Sequence, residues 1–418
     1  MRRCLMLLAG ATVAAPSAAW AGGRLKPVTL SLLATEELPA ISPLMYASYL
    51  KRTGVEMVKI GGYSADNGRT WGYHPEEPNF DGNLPHGYRR EGFPVFVDHT
   101  NGRLVRVVPS MDTPGLDPSI IEPPIALETY YLRYRVSLDG GKTYLFDEQI
   151  IQDGHTPDNP FDRVYYGKNG IFMGDVGSQL LRTRAGKIII PAQACLLGED
   201  GKLSSPGGGF TYTDAIMVIG AWRADNRLSW EISEPIQADP KRSTRGMIEP
   251  TVAELPDGRL LCVMRGSNGG SLDPDCEIPS YRWYSVSRDG GHHWSTPEPW
   301  TYDDGVPLFS PSSMSQLLKH SSGRYLWLGN LNDENCRAND PRYPLYIVEV
   351  NPRTLCVLRS TRLVVDTKRP EEAGVNLSHW WAYEDRETHD IIIVGARYGE
   401  GYRTTTPWHW RVKVDLPR

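Results

Sequence analysis

Short runs of alternating apolar and polar residues, cut by turn residues, recur along the chain, as in YYLRYRV and YRWYSV. The pattern is clearest over residues 247–267, MIEPTVAELPDGRLLCVMRGS, which reads as two short strands, IEPTVAEL and RLLCVMR, joined by a Pro256-Asp257-Gly258 turn. Counting outward from Asp257, Glu249 lies eight residues before it and Arg265 eight after, so an antiparallel hairpin brings both to its open end. A carboxylate and a guanidinium then sit side by side. On one isolated hairpin this is equally a cross-strand ion pair at a sheet rim. The chain, however, repeats the unit.

Turn glycines of the same kind stand at Gly102 (HTNGRLVRVV), Gly186 (RAGKIIIPA), Gly258 (PDGRLLCVM) and Gly323 (SSGRYLWLG), with His389 at the matching place in RETHDIIIVGA. Their spacing of 65 to 84 residues suits one four-stranded blade with its loops better than a solenoid repeat. Residues 26–73 add a sixth unit, expected to be closed by the C-terminal strand around residues 410–415. The expectation is therefore an all-β chain, a six-bladed β-propeller of four-stranded antiparallel blades, forming one domain over residues 22–418. Long irregular connections at 110–127, 197–212, 266–280 and 331–343 each pass from the second strand of a unit to the third. Loops gathered on one face of a rigid scaffold are where function is expected.

Composition changes the picture in three ways. The 41 Gly and 33 Pro fit many turns, while 12 Trp and 21 Tyr against 8 Phe suggest amphipathic rings suited to sugars. The net charge of -5 gives no electrostatic support for a nucleic-acid partner. Residues 1–21, MRRCLMLLAGATVAAPSAAWA, combine Arg2-Arg3, an apolar stretch and Ala19-Trp20-Ala21, the pattern of a secretory signal cleaved after Ala21. An exported protein, periplasmic or secreted, is expected. No later stretch reaches the roughly 20 apolar residues of a membrane span. Cys195, Cys262, Cys276, Cys336 and Cys356 remain, an odd set without C-x-x-C spacing, which argues against a zinc or redox centre. Cys276 and Cys336 fall in loops on the same face and are open to pairing in an oxidising compartment. No cofactor and no metal site is expected.

The hairpin count, applied to every unit, collects residues at one opening. Arg90 is placed beside Asp112, Asp175 opposite Gln193, Ser312 and Ser315 opposite Asn330 and Asn332, and His379 across from Tyr398. Arg342 arrives from the loop before PLYIVEV.

A second motif recurs within the units: SADNGRTW (residues 64–71), SLDGGKTY (137–144), SRDGGHHW (287–294) and a worn copy, RADNRLSW, ending at Trp230. These strings resemble the Asp-box of the sialidase superfamily, three good copies in phase with the other repeat. The resemblance implies a glycoside hydrolase in which three arginines grip a substrate carboxylate, an Asp is the acid/base, and a Tyr activated by a Glu is the nucleophile. EPTVAELPDGRLLCVMR is similar to the family segment bearing that Glu and the second arginine, implying Glu249 and Arg265. The RYPL string implies Arg342 as the third, and GYRREGFPVFV implies Arg90 as the first, with Arg89 as alternate. Asp112 is the implied acid/base, with Asp117 behind it. A neutral Tyr nucleophile suits a substrate whose anomeric carbon carries a carboxylate, because it does not repel that charge.

The chain departs from the family at two places. RREGFP only approximates the first-arginine signature, and the late strand expected to carry the Tyr opens with Asn376, Leu377 and Ser378, with Tyr383 nearer the turn. Tyr398 across the hairpin is the favoured replacement, with Tyr402 and Tyr343 as alternates; His379 is placed against the sugar ring. The function expected is an exo-glycosidase acting on a terminal acidic sugar of a glycan, sialic acid first. Alternatives are a glycosidase of the same clan on another sugar, a uronate polysaccharide lyase in which Tyr398 or His379 abstracts the C5 proton, and a non-catalytic glycan-binding propeller.

Overall fold

The computed structural model describes residues 25–38, 47–48, 55–59, 62–73, 95–111, 130–164, 170–174, 178–399 and 403–417. Within these, the chain forms six antiparallel sheets and a single turn of 3-10 helix at Arg359–Thr361. Four sheets are four-stranded and follow the chain: Ala47–Ser48 to Gly72–Tyr73, Val95–Asp98 to Asp147–Gln149, Ile248–Glu254 to Glu298–Pro299, and Ser315–Lys319 to Leu363–Asp366. A fifth sheet, built around Lys187–Leu197 and Thr213–Trp222, carries extra short strands. No helix among the described residues is long and apolar enough to cross a membrane.

The turns form where glycine was expected to make them. Gly102, Gly186, Gly258 and Gly323 all adopt φ between 78° and 89°, and His389 takes the same left-handed place at 62°. The sheet holding Trp380–Glu384 and Ile391–Gly399 is completed by Thr405–Asp415 and then by the N-terminal strand Thr29–Glu37, paired from Thr29 opposite Asp415 to Glu37 opposite Trp408. Closure thus runs opposite to the sequence expectation. The first strand leaves its own neighbourhood to finish the last sheet, and the sheet of residues 47–73 stands without it.

Alternation explains the packing. Ile188 and Ile190 point into one apolar cluster while Ile189 points into the next; Leu261 and Val263 likewise face away from Cys262 and Met264. Among the described residues six such clusters each join two sheets, including one in which Met57 of the first sheet meets Trp381, Ile392 and Val394 of the last. That last junction is reinforced by Asn67 Nδ2 donating to Asp385 and by Arg386 donating to the Glu56 carbonyl.

The Asp-box turns share one geometry. Ser64, Ser137 and Ser287 each donate to the following Asp (Asp66, Asp139, Asp289) at 2.8 Å. Each carboxylate then accepts the backbone N–H four residues on, from Thr70, Thr143 or His293. Such bonds favour the ionised form, and those from Thr70 and Ser64 hold Asp66 down to about 2. Three of the long connections, 197–212, 266–280 and 331–343, do join the second and third strands of their sheets; residues 112–129 lie outside the described residues.

Candidate functional site

Glu249 sits on a β-bulge. Thr251 opposite Val263 and Val252 opposite Cys262 pair as the turn-centred count requires, but the register shifts before Thr251 and sets Ile248 opposite Arg265. Glu249 is left with φ 49°, a left-handed conformation that costs a non-glycine residue about 1–2 kcal/mol. Its surroundings hold it there. The Glu249 N–H donates to Gln193 Oε1 at 2.6 Å, Gln193 Nε2 donates to Thr213 Oγ1 at 3.0 Å, and Thr213 Oγ1 donates to the Met247 carbonyl at 3.3 Å. Gly174 closes the other side: a Cβ there would lie 2.5 Å from Glu249 Cγ and 2.8 Å from its Cα, so only glycine fits.

The side chain then meets a set of guanidiniums. Arg265 Nη1 donates to Glu249 Oε1 at 2.5 Å, and the two side chains are only 8% and 12% exposed. Arg265 Nε donates to Ser312 Oγ at 2.8 Å, while Arg342 Nη2 donates to the carbonyl of the same Ser312 at 3.2 Å. Arg342 also donates from Nη1 to Ser378 Oγ at 3.0 Å and from Nε to the Asn339 carbonyl at 3.2 Å. Arg265, at the end of the strand Leu260–Arg265, and Arg342, in the loop before Leu345–Val350, are thereby fixed through one serine. Burial alone would raise the pKa of Glu249, but the charge of Arg265, their hydrogen bond, and the charges of Arg342 and Arg245 outweigh it and hold the carboxyl below the ordinary range. Among the described residues its second oxygen, Oε2, is shielded and accepts no hydrogen bond.

Two further arginines stand around the pair. Arg282 is fully buried and donates to the Ser313 carbonyl and to Ser310 Oγ, holding the backbone beside Ser312. Arg245, in the turn before the strand, donates from Nη2 to Thr211 Oγ1 at 2.7 Å. Burial and the nearby guanidinium of Arg265 push each of them down to about 9, still a cation at neutral pH. Sequence reasoning missed both, because a count confined to hairpin ends does not reach a loop residue such as Arg245 or the strand-start Arg282. The available signal was the Arg245-Gly246 string four residues before Glu249, with Gly246 at φ 71°.

On the last sheet Asn376 stands opposite Tyr398, and the His379 and Tyr398 rings meet edge to face at 5.2 Å, both half-buried. Ser378, the partner of Arg342, donates to Asn376 Oδ1 at 2.6 Å, which ties this strand to the arginines. Tyr398 makes no hydrogen bond to Glu249 Oε2. Tyr383 pairs with Ile392 toward the turn, and Tyr343 packs against an apolar cluster. The fourth hairpin is one residue out of the expected register: Ser315 faces Gly329, not Asn330, and Asn332 bonds through its backbone to Phe309. Arg89, Arg90, Asp112, Asp117, Asp175 and Tyr402 lie outside the described residues. Cys276 and Cys336 are both free thiols; the two loops are joined instead by Asn268, whose Nδ2 donates to both carbonyls.

The fold has solved relatives at low identity. A protein of unknown function from Dyadobacter fermentans superposes with a TM-score of 0.57 at 14% identity, covering 92% of this chain and 99% of that one. A Hadza microbial sialidase gives 0.50 at 16% identity, covering 85% of this chain, which spans 58% of the sialidase. The NanB sialidase of Streptococcus pneumoniae gives 0.49 at 14% identity, with 84% of this chain and 62% of that one covered. No curated protein matches the sequence. The BNR repeat-like domain family matches residues 85–362, a span that includes Glu249, Arg265 and Arg342, and the chain therefore belongs to that family.

Proposed function

We propose that this protein is an exported six-bladed propeller acting as an exo-glycosidase on a terminal acidic sugar, sialic acid first. The observation that carries the reading is the buried Glu249–Arg265 pair, with Arg342 fixed beside it through Ser312. A substrate carboxylate would be held by the Arg265 and Arg342 forks, for which bidentate guanidinium geometry is suited. The six sheets joined by six apolar clusters, first to last, support the propeller. Residues 1–21 support export.

In this reading Glu249, kept ionised by the arginines, presents Oε2 as a proton acceptor for a tyrosine hydroxyl, Tyr398 first among the tyrosines considered. The tyrosine oxygen would attack the anomeric carbon, with Asp112 protonating the leaving group and then activating water. Arg90 would complete the clamp. His379, against Tyr398, would wall the sugar ring.

One observation favours a second reading. Tyr398 packs edge to face on His379, an arrangement suited to proton abstraction at C5 of a uronate whose carboxylate the arginines neutralise. Incubation of the purified mature protein with a fluorescent α-sialoside and with polyuronates separates the two. Fluorophore release supports hydrolysis. An unsaturated, ultraviolet-absorbing product supports elimination, and neither product contradicts both.

A further inference from the structure

The last sheet carries a cleft that the carboxylate clamp does not use, and strand register accounts for its floor. Val375 pairs with Gly399, Arg397 with Thr406, and Glu37 with Trp408. Residues two apart on a strand share a face, and Arg397 stands two from Gly399 as Thr406 does from Trp408. These side chains and Gly399 therefore lie on one face of four neighbouring strands, Val375–Asn376, Ile391–Gly399, Thr405–Asp415 and Thr29–Glu37. They line a cleft of about 350 Å³, within the roughly 300–1,000 Å³ of ligand clefts. Crossing three strand spacings, it runs for about 14 Å. Its inner end adjoins the arginine site: Asn376, next to Val375, accepts from Ser378, the partner of Arg342.

The rest of the lining comes from residues 369–374, which charge and stacking hold in place. Arg397 donates from Nη2 to both oxygens of Glu372, at 2.7 and 2.8 Å, and pairs through Nη1 with Asp366. Glu372 Oε2 also accepts the Arg369 backbone N–H at 2.8 Å, and the Arg369 guanidinium lies 5.0 Å from the centre of a Trp408 ring. At Gly374, which lines the cleft, a Cβ would meet no heavy atom within 4 Å. The cleft is open there.

The chemistry of the lining suits an uncharged partner. The two arginines are matched by Asp366, Glu372 and Glu37, so no positive excess draws a second anion into the cleft. Carboxylates accept, guanidiniums donate, and the Thr404 and Thr406 hydroxyls do both, which fits sugar hydroxyls that also do both. We propose that this cleft is a subsite for a neutral sugar residue, the one that follows the terminal acidic sugar of a glycan whose end lies at Arg265 and Arg342. This rests on the reading of that site as one for acidic glycans and deepens it, since the substrate becomes an oligosaccharide recognised at two residues.

The test has a turnover arm and a binding arm. Release of free sialic acid is followed from methyl sialoside and from sialyllactose, and the mature protein is titrated calorimetrically with lactose, a neutral disaccharide. Wild type is expected to bind lactose and to show a KM about 10-fold lower for sialyllactose than for methyl sialoside. Gly374→Trp, which fills the open space, is expected to raise KM for sialyllactose about 10-fold more than for methyl sialoside, with kcat similar for both, and to abolish lactose binding at an unchanged melting temperature. Should Gly374→Trp misfold, Arg369→Ala, which removes an exposed donor, is expected to weaken lactose binding by a smaller factor. Absence of lactose binding in wild type, equal binding in wild type and both variants, or equal KM for the two substrates overturns the subsite. Lactose binding that needs an open Gly374, in a protein that releases no sialic acid, upholds the cleft as a neutral-sugar site and overturns the proposed activity.

Discussion

Gln193 Oε1 accepts the backbone N–H of Glu249 at 2.6 Å, a bond that crosses from one sheet to the next and holds the carboxylate residue in a left-handed conformation. Removing the acceptor leaves a buried donor unpaired at a cost of about 1–3 kcal/mol. Gln193→Leu is therefore expected to lower stability by that amount in urea unfolding and to reduce kcat. Gly174→Ala drives a methyl against Gln193 and Glu249 and is expected to reduce activity more than any other glycine substitution at an equally buried place.

Arg265 is the counter-ion of Glu249 and, in the proposed clamp, also a ligand of the substrate carboxylate. Arg265→Ala leaves Glu249 buried without its partner, which costs about 3–5 kcal/mol. Arg265→Ala with Glu249→Gln is expected to recover most of that stability and none of the activity. If the single and double variants unfold at the same denaturant concentration, the pair is not the stabilising contact.

The same pair sets a pH expectation. Glu249 has its pKa held below the ordinary carboxylate value, so its contribution is complete above the unfolded-state pKa and is lost only as pH falls through the lower folded value. The acid limb of a rate profile between pH 5 and 7, if one is measured, then belongs to another group.

Asp214 behaves oppositely. It is 2% exposed, accepts from Gln237 at 2.8 Å on Oδ2, and has no partner for Oδ1 among the described residues; burial raises its pKa from 3.8 to about 6. The folded state then binds its proton more tightly than the unfolded, so stability falls as pH rises through about 4 to 6. Asp214→Asn is expected to remove that fall and to gain up to ~3 kcal/mol at pH 7, with no gain at pH 4, in denaturant titrations.

The Asp-boxes are structural turns. Asp139→Ala removes the bonds from Ser137 and from the Thr143 backbone and hydroxyl, and is expected to lower stability by about 1–3 kcal/mol with kcat and KM unchanged.

The hairpin count about Asp257 placed Glu249 beside Arg265 because turn position and strand period leave little freedom there. It could not foresee the bulge that shifts Ile248 opposite Arg265, since an inserted residue leaves no mark in an alternating pattern. The turns at Gly102, Gly186, Gly258 and Gly323 were legible for the same local reason. Arg245, Gly174 and the swap of Thr29–Glu37 into the last sheet were not, because each depends on contacts between segments distant in the chain. Ser312, collected with the mouth residues, was read as a strand-end polar group; its part as the link between Arg265 and Arg342 comes from two loops meeting in space.

In the proposed function Arg265 and Arg342 form a carboxylate clamp beside an ionised Glu249. The most direct measurement is calorimetric titration of the mature protein with a sugar acid and with the same sugar reduced to its neutral alcohol. The acid is expected to bind and the alcohol not, with acid binding lost in Arg342→Ala at unchanged melting behaviour. Equal binding of both sugars, or undiminished acid binding in Arg342→Ala, would contradict the clamp and the function built on it.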